Sequence, residues 1–193
     1  MELLQTYRRG LSEFTDRVSQ IGYDQWALPT PCANWDVRTL VNHVVGEDRW
    51  SVALLGGATV AQVGDRFEGD LLGTDPAGAA RDAAAAAERA VSEPGALDRI
   101  VHLSTGDTPA SEYLHQLLAE HLVHGWDLAV AIGVAPTMHA EAVQECSQWF
   151  SGRSEAYRQG GLTSLAVHVP ENAGEQDRLV AAFGRDPDWA PGD

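Results

Sequence analysis

The sequence has few basic residues, few cysteines and no long apolar run. Its 193 residues contain 13 Lys and Arg against 28 Asp and Glu, a formal net charge of -15 at pH 7. That charge repels nucleic-acid phosphates and anionic membrane surfaces, so we expect neither nucleic acid nor a membrane as a partner. Hydrophobic residues make up 44% of the chain, enough for one domain to bury a core without disulfides.

The two cysteines, Cys32 and Cys146, lie far apart in the sequence. They form neither a CxxC pair nor a disulfide framework, which indicates ordinary thiols in a reducing compartment. The N-terminal segment has scattered charges and lacks the apolar core of a signal peptide. No stretch reaches 18 apolar residues, because charged residues and histidines interrupt the longest one, around Leu117 to Ala131. These absences predict a cytoplasmic location.

Helical periodicity dominates the sequence. Apolar residues at helical spacing predict five helices, over about residues 1–20, 37–55, 79–91, 109–132 and 138–157. Asp36 is a suitable N-cap for the second helix, and Gly133 ends the fourth. A segment rich in Gly and Asp, from Gly56 to Gly78, has no sustained period and is expected to be a long crossover.

Shorter elements are expected between and after these helices. Alternating residues predict a short strand or extended connection at residues 99–103 and an extended piece at 162–169, and a last short helix covers residues 176–183. The predicted fold is all-α, with four main helices, one long crossover and a C-terminal accessory tail. Residues 1–160 are expected to form the bundle, and residues 161–193 to pack on it as part of the same domain.

Glu120 and His124 are the most informative polar pair. Four positions apart on one predicted helix, they lie on the same face and can chelate one ion. His43, from another core helix, could complete a set of two His and one carboxylate. The alternative is an ordinary helical pair with His43 hydrogen-bonded alone, which spacing by itself favours. His121 adds a further possibility, since it could share an ion with His124.

Two motifs carry a family resemblance. Residues 30–43, TPCANWDVRTLVNH, look like the TPCxxWxVxxLxxH signature of actinobacterial DinB-like proteins related to mycothiol-dependent maleylpyruvate isomerase. Residues 120–127, EHLVHGWD, resemble the acidic residue, three-residue gap and His-Gly-Trp-Asp segment of that family. The tail at 176–187 is similar to an uncharacterised branch of it, so the resemblance covers nearly the whole chain. It implies a DinB/YfiT-like four-helix bundle.

The resemblance also implies a metal site. It makes His43, Glu120 and His124 the ligands and Zn²⁺ the expected metal, although such a set also suits Fe²⁺ or Ni²⁺. In relatives of this kind the metal holds a low-molecular-weight thiol such as mycothiol, and Zn²⁺ favours the nucleophilic thiolate. The isomerase that names the family has an additional C-terminal domain in its active site. A chain ending at Asp193 has room only for a tail, so we expect a different reaction here.

Other residues near the motifs have competing interpretations. Glu47 lies one turn after His43. It is either a candidate general base for a metal-bound water or part of a solvated helix surface. Asp127 either accepts a hydrogen bond from a ligand histidine or caps a loop by bonding Arg38 or a backbone amide. Cys32 is expected to pack as a small hydrophobe, since a fourth protein ligand would close the site. Trp35 and Trp126 are expected to anchor the core.

These observations lead to three functional hypotheses. The first is a Zn²⁺-dependent transferase or isomerase that uses a thiol such as mycothiol on a small-molecule substrate. The second is a non-catalytic metal- or small-molecule-binding protein, which a site closed by Cys32 or His121 would favour. The third is a purely structural polar cluster without metal. An exposed face of the bundle is compatible with a homodimer.

Overall fold

The computed structural model describes residues 3–161 and 163–192. Its helices are α1 Leu3–Val18, α2 Val37–Leu55, α3 Val60–Val63, α4 Pro76–Ser92, α5 Ala110–Ile132, α6 Ala140–Ser151, α7 Ser154–Gln159 and α8 Glu175–Ala182. The two strands are β1 Ile100–Leu103 and β2 Gly106–Pro109, preceded by a 3-10 turn at Ala96–Asp98. The mostly helical architecture confirms the predicted all-α fold.

Helices α1, α2, α4 and α5 form the bundle. α1 packs on α4 and α5, and α2 packs on the same two helices. α5 is buried on nearly all sides, as expected of a helix that is apolar around most of its circumference. One part of the core surrounds Leu118 and Leu122 of α5, and the other surrounds Val41 and Val44 of α2. Each such side chain contributes about 1.5–3 kcal/mol by leaving water.

The predicted helix ends agree with local capping at α2 and differ at α4. Asp36 accepts a hydrogen bond from the Thr39 backbone N–H at 2.7 Å, so α2 begins where the N-cap was expected. α4 begins at Pro76 rather than three residues later. Asp75 caps it by accepting from the Gly78 N–H at 2.9 Å, and proline is favourable at the first helical position because its missing N–H is not needed there.

The long crossover between α2 and α4 contains the short helix α3 and then returns along α2. The Asn42 side chain donates to the Gly69 carbonyl at 3.0 Å and accepts from the Leu71 N–H at 2.8 Å. Nearby, Arg38 pairs with Asp70 at 2.9 Å. These contacts satisfy backbone groups of a segment that has little regular structure of its own.

The segment before α5 is a β-hairpin, whereas the sequence predicted a short strand or extended connection leading into the helix. β1 and β2 are antiparallel, with Leu103 opposite Gly106. The predicted fifth helix is also divided: Gly152 ends α6, and α7 resumes at Ser154. Periodicity missed both features because a tight turn and a two-residue interruption barely change the hydrophobic pattern.

The C-terminal segment packs on α6 and approaches the bundle. Phe183 stacks on Phe150 of α6, with ring centroids 4.0 Å apart. The Val167 N–H donates to the Ala181 carbonyl at 2.9 Å, although residues 163–169 form no strand. Leu162, the first residue of the predicted extended piece, lies outside the described residues. Among the helices in the described ranges, none is long and apolar enough to cross a bilayer.

Candidate metal centre

The three predicted ligands lie together at the wall between α2 and α5. Oε2 of Glu120 is 3.0 Å from Nε2 of His43 and 3.0 Å from Nε2 of His124. All three donor atoms are within 4.8 Å of one another. Helical geometry places Glu120 and His124 one turn apart on α5, and the packing of α2 on α5 brings His43 to the same depth.

This donor set fits a divalent transition metal. Donor atoms about 2.1 Å from a tetrahedral Zn²⁺ lie about 3.4 Å from one another, close to the spacing of the three groups. Their side chains are 31%, 36% and 10% exposed for His43, Glu120 and His124, so the cluster is reached from one side. Within the described residues, no further His, Cys, Asp or Glu joins this group, as a site that admits an exogenous ligand requires.

The negative charge of Glu120 and the positive charges of the neighbouring histidines stabilise each other. Burial alone raises the pKa of Glu120, but hydrogen bonds and the charges of His124 and His43 hold it well below its ordinary value. Burial lowers the pKa of His124, yet its hydrogen bonds to Asp127, Cys32 and Glu120 raise it overall. Without a metal, the His124 ring therefore carries a proton on each nitrogen, so that Nδ1 donates to Asp127 and Nε2 donates to Glu120.

Asp127 lies behind His124, on the side opposite Glu120. Its Oδ2 is 3.0 Å from Nδ1 of His124, which matches the predicted role of an acceptor for a ligand histidine. The alternative bond to Arg38 is absent, since Arg38 pairs with Asp70. Sequence reasoning missed the second partner of Asp127: Arg185 donates to it at 2.9 Å from 58 residues further along the chain. No local spacing signals such a contact.

Cys32 also lies on this rear side. Its Sγ is 3.1 Å from Oδ2 of Asp127 and 3.7 Å from Nδ1 of His124. The thiol is partly buried and packs against apolar neighbours, but its polar contacts exceed those of the simple hydrophobe that was predicted. It does not join the group formed by His43, Glu120 and His124.

His121 points away from the cluster. Its ring is fully buried, Nδ1 donates to the Leu117 carbonyl at 2.6 Å, and Nε2 lies 3.0 Å from Oδ1 of Asp48. Tyr7 and Phe14 contact the ring edge to face. His121 and His124 therefore face different partners, and the possible chelating pair is not formed.

Glu47 lies one turn after His43 on α2 and lines the same cavity. In the described part of the chain it makes no hydrogen bond or ion pair. Burial raises the pKa of Glu47, and the neighbouring charge of Glu120 raises it further. It is thus a cavity residue and not part of the solvated helix surface that was the alternative.

A cavity of about 1110 Å³ opens in front of the cluster. Its aromatic lining consists of Trp35, Trp50, Tyr113, Trp149, Tyr157 and Phe183. The Trp35 ring centroid lies 4.8 Å from that of His43 and 5.7 Å from that of His124, so this tryptophan lines the site, whereas Trp126 is buried in the core as expected. The volume is sufficient for a small-molecule ligand.

Comparison with known proteins identifies the family. Residues 7–129 match the family model described as the mycothiol maleylpyruvate isomerase N-terminal domain. The chain belongs to this family. Two relatives from Mycobacterium tuberculosis, strains CDC 1551 / Oshkosh and ATCC 25618 / H37Rv, are each described only as an uncharacterised protein. Each is 28% identical over 149 residues, covering 75% of this chain and 75% of the relative. No solved structure gives a significant match.

The family match confirms the resemblance found in the two sequence motifs. It includes all three clustered residues and both Cys32 and Asp127. It ends at residue 129, however, so Arg185 and the C-terminal segment lie beyond the part that the family model describes. The rear side of the cluster therefore combines residues inside the family domain with one residue outside it.

Proposed function

We propose that this protein is a Zn²⁺-dependent enzyme that uses the thiol of mycothiol as a nucleophile toward a small molecule, as a transferase or an isomerase. The observation that carries the proposal is the convergence of His43, Glu120 and His124 at the wall of a large cavity. Fe²⁺ and Ni²⁺ suit the same donors. The family name supports mycothiol as the thiol, and a cytoplasmic location is part of the proposal.

The side chains around the cluster have distinct roles in this chemistry. A bound Zn²⁺ supplies the positive charge that favours a thiolate over a thiol. Asp127 accepts a hydrogen bond from the Nδ1–H of His124, which leaves Nε2 free to bind the metal. Glu47 lines the cavity and has no hydrogen-bond partner among the described residues, and its raised pKa suits a group that accepts the thiol proton. The aromatic lining excludes water around the reacting sulfur.

The charge of the cavity favours an uncharged second substrate. Glu47 and Glu120 are both acidic, and among the described residues that line the cavity Arg185 is the one arginine. Its guanidinium group is already bound to Asp127, Cys32 and the Phe183 carbonyl. A dicarboxylate would therefore find no free arginine to pair with, and an unpaired charge is costly to desolvate. This argues for a substrate other than maleylpyruvate.

Elemental analysis and a thiol assay test the proposal. We expect about one zinc per chain and consumption of mycothiol with a neutral haloaromatic electrophile that releases halide. His43→Ala, Glu120→Ala and His124→Ala should each lose most of the metal and the activity. The control is His102→Ala in the hairpin, whose exposed ring pairs with Asp107 and should retain both.

The possible outcomes separate the functional hypotheses. Retained zinc without mycothiol binding in calorimetry, or without turnover, would favour a non-catalytic metal-binding protein. Absence of metal from protein purified without chelators, even after addition of Zn²⁺, would leave only the structural polar cluster.

A further inference from the structure

A second group of donor atoms lies behind His124. Cys32, His124 and Asp127 each offer one donor within 4.8 Å of the others, a combination that also suits a metal ion. Here, however, the guanidinium group of Arg185 already supplies the positive charge. Its Nη2 is 3.0 Å from Sγ of Cys32 and 2.9 Å from Oδ2 of Asp127.

Arg185 binds the carboxylate of Asp127 through two nitrogens. Nε donates to Oδ1 at 3.1 Å while Nη2 donates to Oδ2, the forked arrangement that fixes a carboxylate in orientation as well as position. The Asp127 side chain is fully buried and that of Arg185 is 14% exposed. This is a buried pair, in which the loss of either partner leaves an uncompensated charge.

The C-terminal segment holds the arginine in place. Its Nη1 donates to the Phe183 carbonyl at 2.9 Å, and its backbone N–H donates to the Val180 carbonyl at 3.0 Å. Phe183 in turn stacks on Phe150 of α6. The position of the guanidinium group is therefore determined by the packing of the segment that follows α8.

The contacts form one chain from this segment to the cluster. Arg185 fixes both oxygens of Asp127, Oδ2 of Asp127 lies 3.0 Å from Nδ1 of His124, and the opposite ring nitrogen faces Glu120 and His43. A histidine ligand whose second nitrogen is held binds metal with a defined ring orientation. If Asp127 could rotate, the His124 ring would lose that constraint.

We propose that Arg185 is a positioning residue of the metal centre, which acts through Asp127 to orient His124. The inference rests on the proposed metal-binding function. It assigns to the C-terminal segment a part in a site whose ligands all come from the bundle.

Metal affinity, measured by competition with a chromogenic chelator, tests this pathway. We expect Arg185→Met to weaken Zn²⁺ binding about 10–100-fold, the usual effect of removing a residue that orients a ligand. Asp127→Asn should weaken it by a similar factor. If Arg185 acts through Asp127, the double variant should bind no more weakly than Asp127→Asn alone. Multiplied effects, or an Arg185→Met protein with unchanged affinity, would overturn the inference.

Two further variants separate positioning from general damage to the fold. Arg185→Lys retains the charge without the fork, so we expect an intermediate affinity and a shifted ligand-field spectrum in the Co²⁺-loaded protein. If Arg185→Lys has the same Co²⁺ spectrum and metal affinity as the unmodified chain, the proposal is contradicted. This test holds even if Arg185→Met does not fold. The control is Arg178→Met on α8, which should change neither quantity, because within the described ranges its side chain donates only to the Glu171 carbonyl.

Mycothiol turnover by the same proteins separates this inference from the proposed function. Coupled losses of metal affinity without any thiol turnover would support the positioning role and reject the enzyme. Turnover by the unmodified chain, with no effect of Arg185→Met or Arg185→Lys on affinity, would support the enzyme and reject the positioning role.

Discussion

Cys32 approaches His124 on the ring nitrogen that faces away from Glu120. Its Sγ lies 3.7 Å from Nδ1, while Nε2 on the other side lies 3.0 Å from Oε2 of Glu120. The two nitrogens of an imidazole ring diverge, so a metal bound at Nε2 is out of reach of this thiol. The TPC motif therefore supplies a cavity-lining residue on the Nδ1 side of His124 and leaves the Nε2 side open.

We expect the Co²⁺-loaded protein to show no intense thiolate-to-metal charge-transfer absorption. Cys32→Ser should retain the ligand-field spectrum and change the metal affinity by less than about tenfold, since a serine hydroxyl can replace the thiol as a polar contact of Asp127. A charge-transfer band that disappears in Cys32→Ser would place the sulfur on the metal and support a closed, non-catalytic site.

Glu47→Gln tests the proton acceptor. We expect kcat to fall about 10²–10⁴-fold, with metal content unchanged because Glu47 is outside the ligand group. Burial and the charge of Glu120 raise the pKa of Glu47, and the carboxylate form is the active one. Activity of the unmodified protein should therefore decrease as the pH falls through that raised pKa, and Glu47→Gln should lack this acidic limb.

Glu141→Gln is a matched control for this substitution. Glu141 is exposed in the first turn of α6 and is not among the cavity residues. It should leave kcat and the pH profile unchanged. An unaltered pH profile in Glu47→Gln would assign the proton transfer to another group.

The sequence predicted the cluster better than its surroundings. Helical spacing placed Glu120 and His124 on one face, and the motif added His43, because both signals are local or carried by a family pattern. The partner of Asp127 could not be found in this way. Arg185 follows a short helix in the tail, 58 positions after Asp127. A contact over this distance depends on tertiary packing, which produces no periodic pattern in the sequence.

Predicted features of the fold show the same limit. The apolar pattern of α2 and α5 located both helices, because in each of them buried residues recur at helical spacing. The strand β2 was missed because its residues, Gly106–Pro109, are mostly polar and exposed. Glu47 could be placed near His43 by spacing, but its burial depends on the aromatic wall that other elements bring to the cavity.

The buried pair His121–Asp48 should stabilise the bundle in a pH-dependent manner. Burial lowers the pKa of His121, but Asp48 and the Leu117 carbonyl raise it above its ordinary value overall. A pKa raised in the folded state gives stabilisation that is complete below about pH 6.5 and is lost as the pH rises through the folded-state pKa. Asp48→Asn should therefore cost about 3–5 kcal/mol at low pH and less at high pH.

Urea unfolding at about pH 6 and about pH 9 measures this difference in unfolding free energy. The control is Asp107→Asn, which removes the exposed partner of His102 and should cost less than about 1 kcal/mol. An Asp48→Asn penalty that is equal at both pH values would show that the pair is not charged in the folded protein.

Gly184 should be the most sensitive glycine of the C-terminal segment. Its φ is +83°, and an added Cβ would lie 2.6 Å from Cβ of Ser164 and 3.0 Å from the Leu165 carbonyl oxygen. The left-handed conformation alone costs a residue with a Cβ about 1–2 kcal/mol, and the close contacts add to it. Gly184→Ala should therefore loosen the segment that precedes Arg185.

Limited proteolysis and metal titration measure the consequence of Gly184→Ala together. We expect faster cleavage between residues 163 and 174 and a parallel loss of Zn²⁺ affinity, because the displaced segment no longer holds the guanidinium group on Asp127. Gly152→Ala is the control, since Gly152 has a φ of -86° and open space around the added Cβ. If Gly184→Ala is cleaved faster but binds metal normally, the packing of the segment matters for stability and the metal centre does not depend on it.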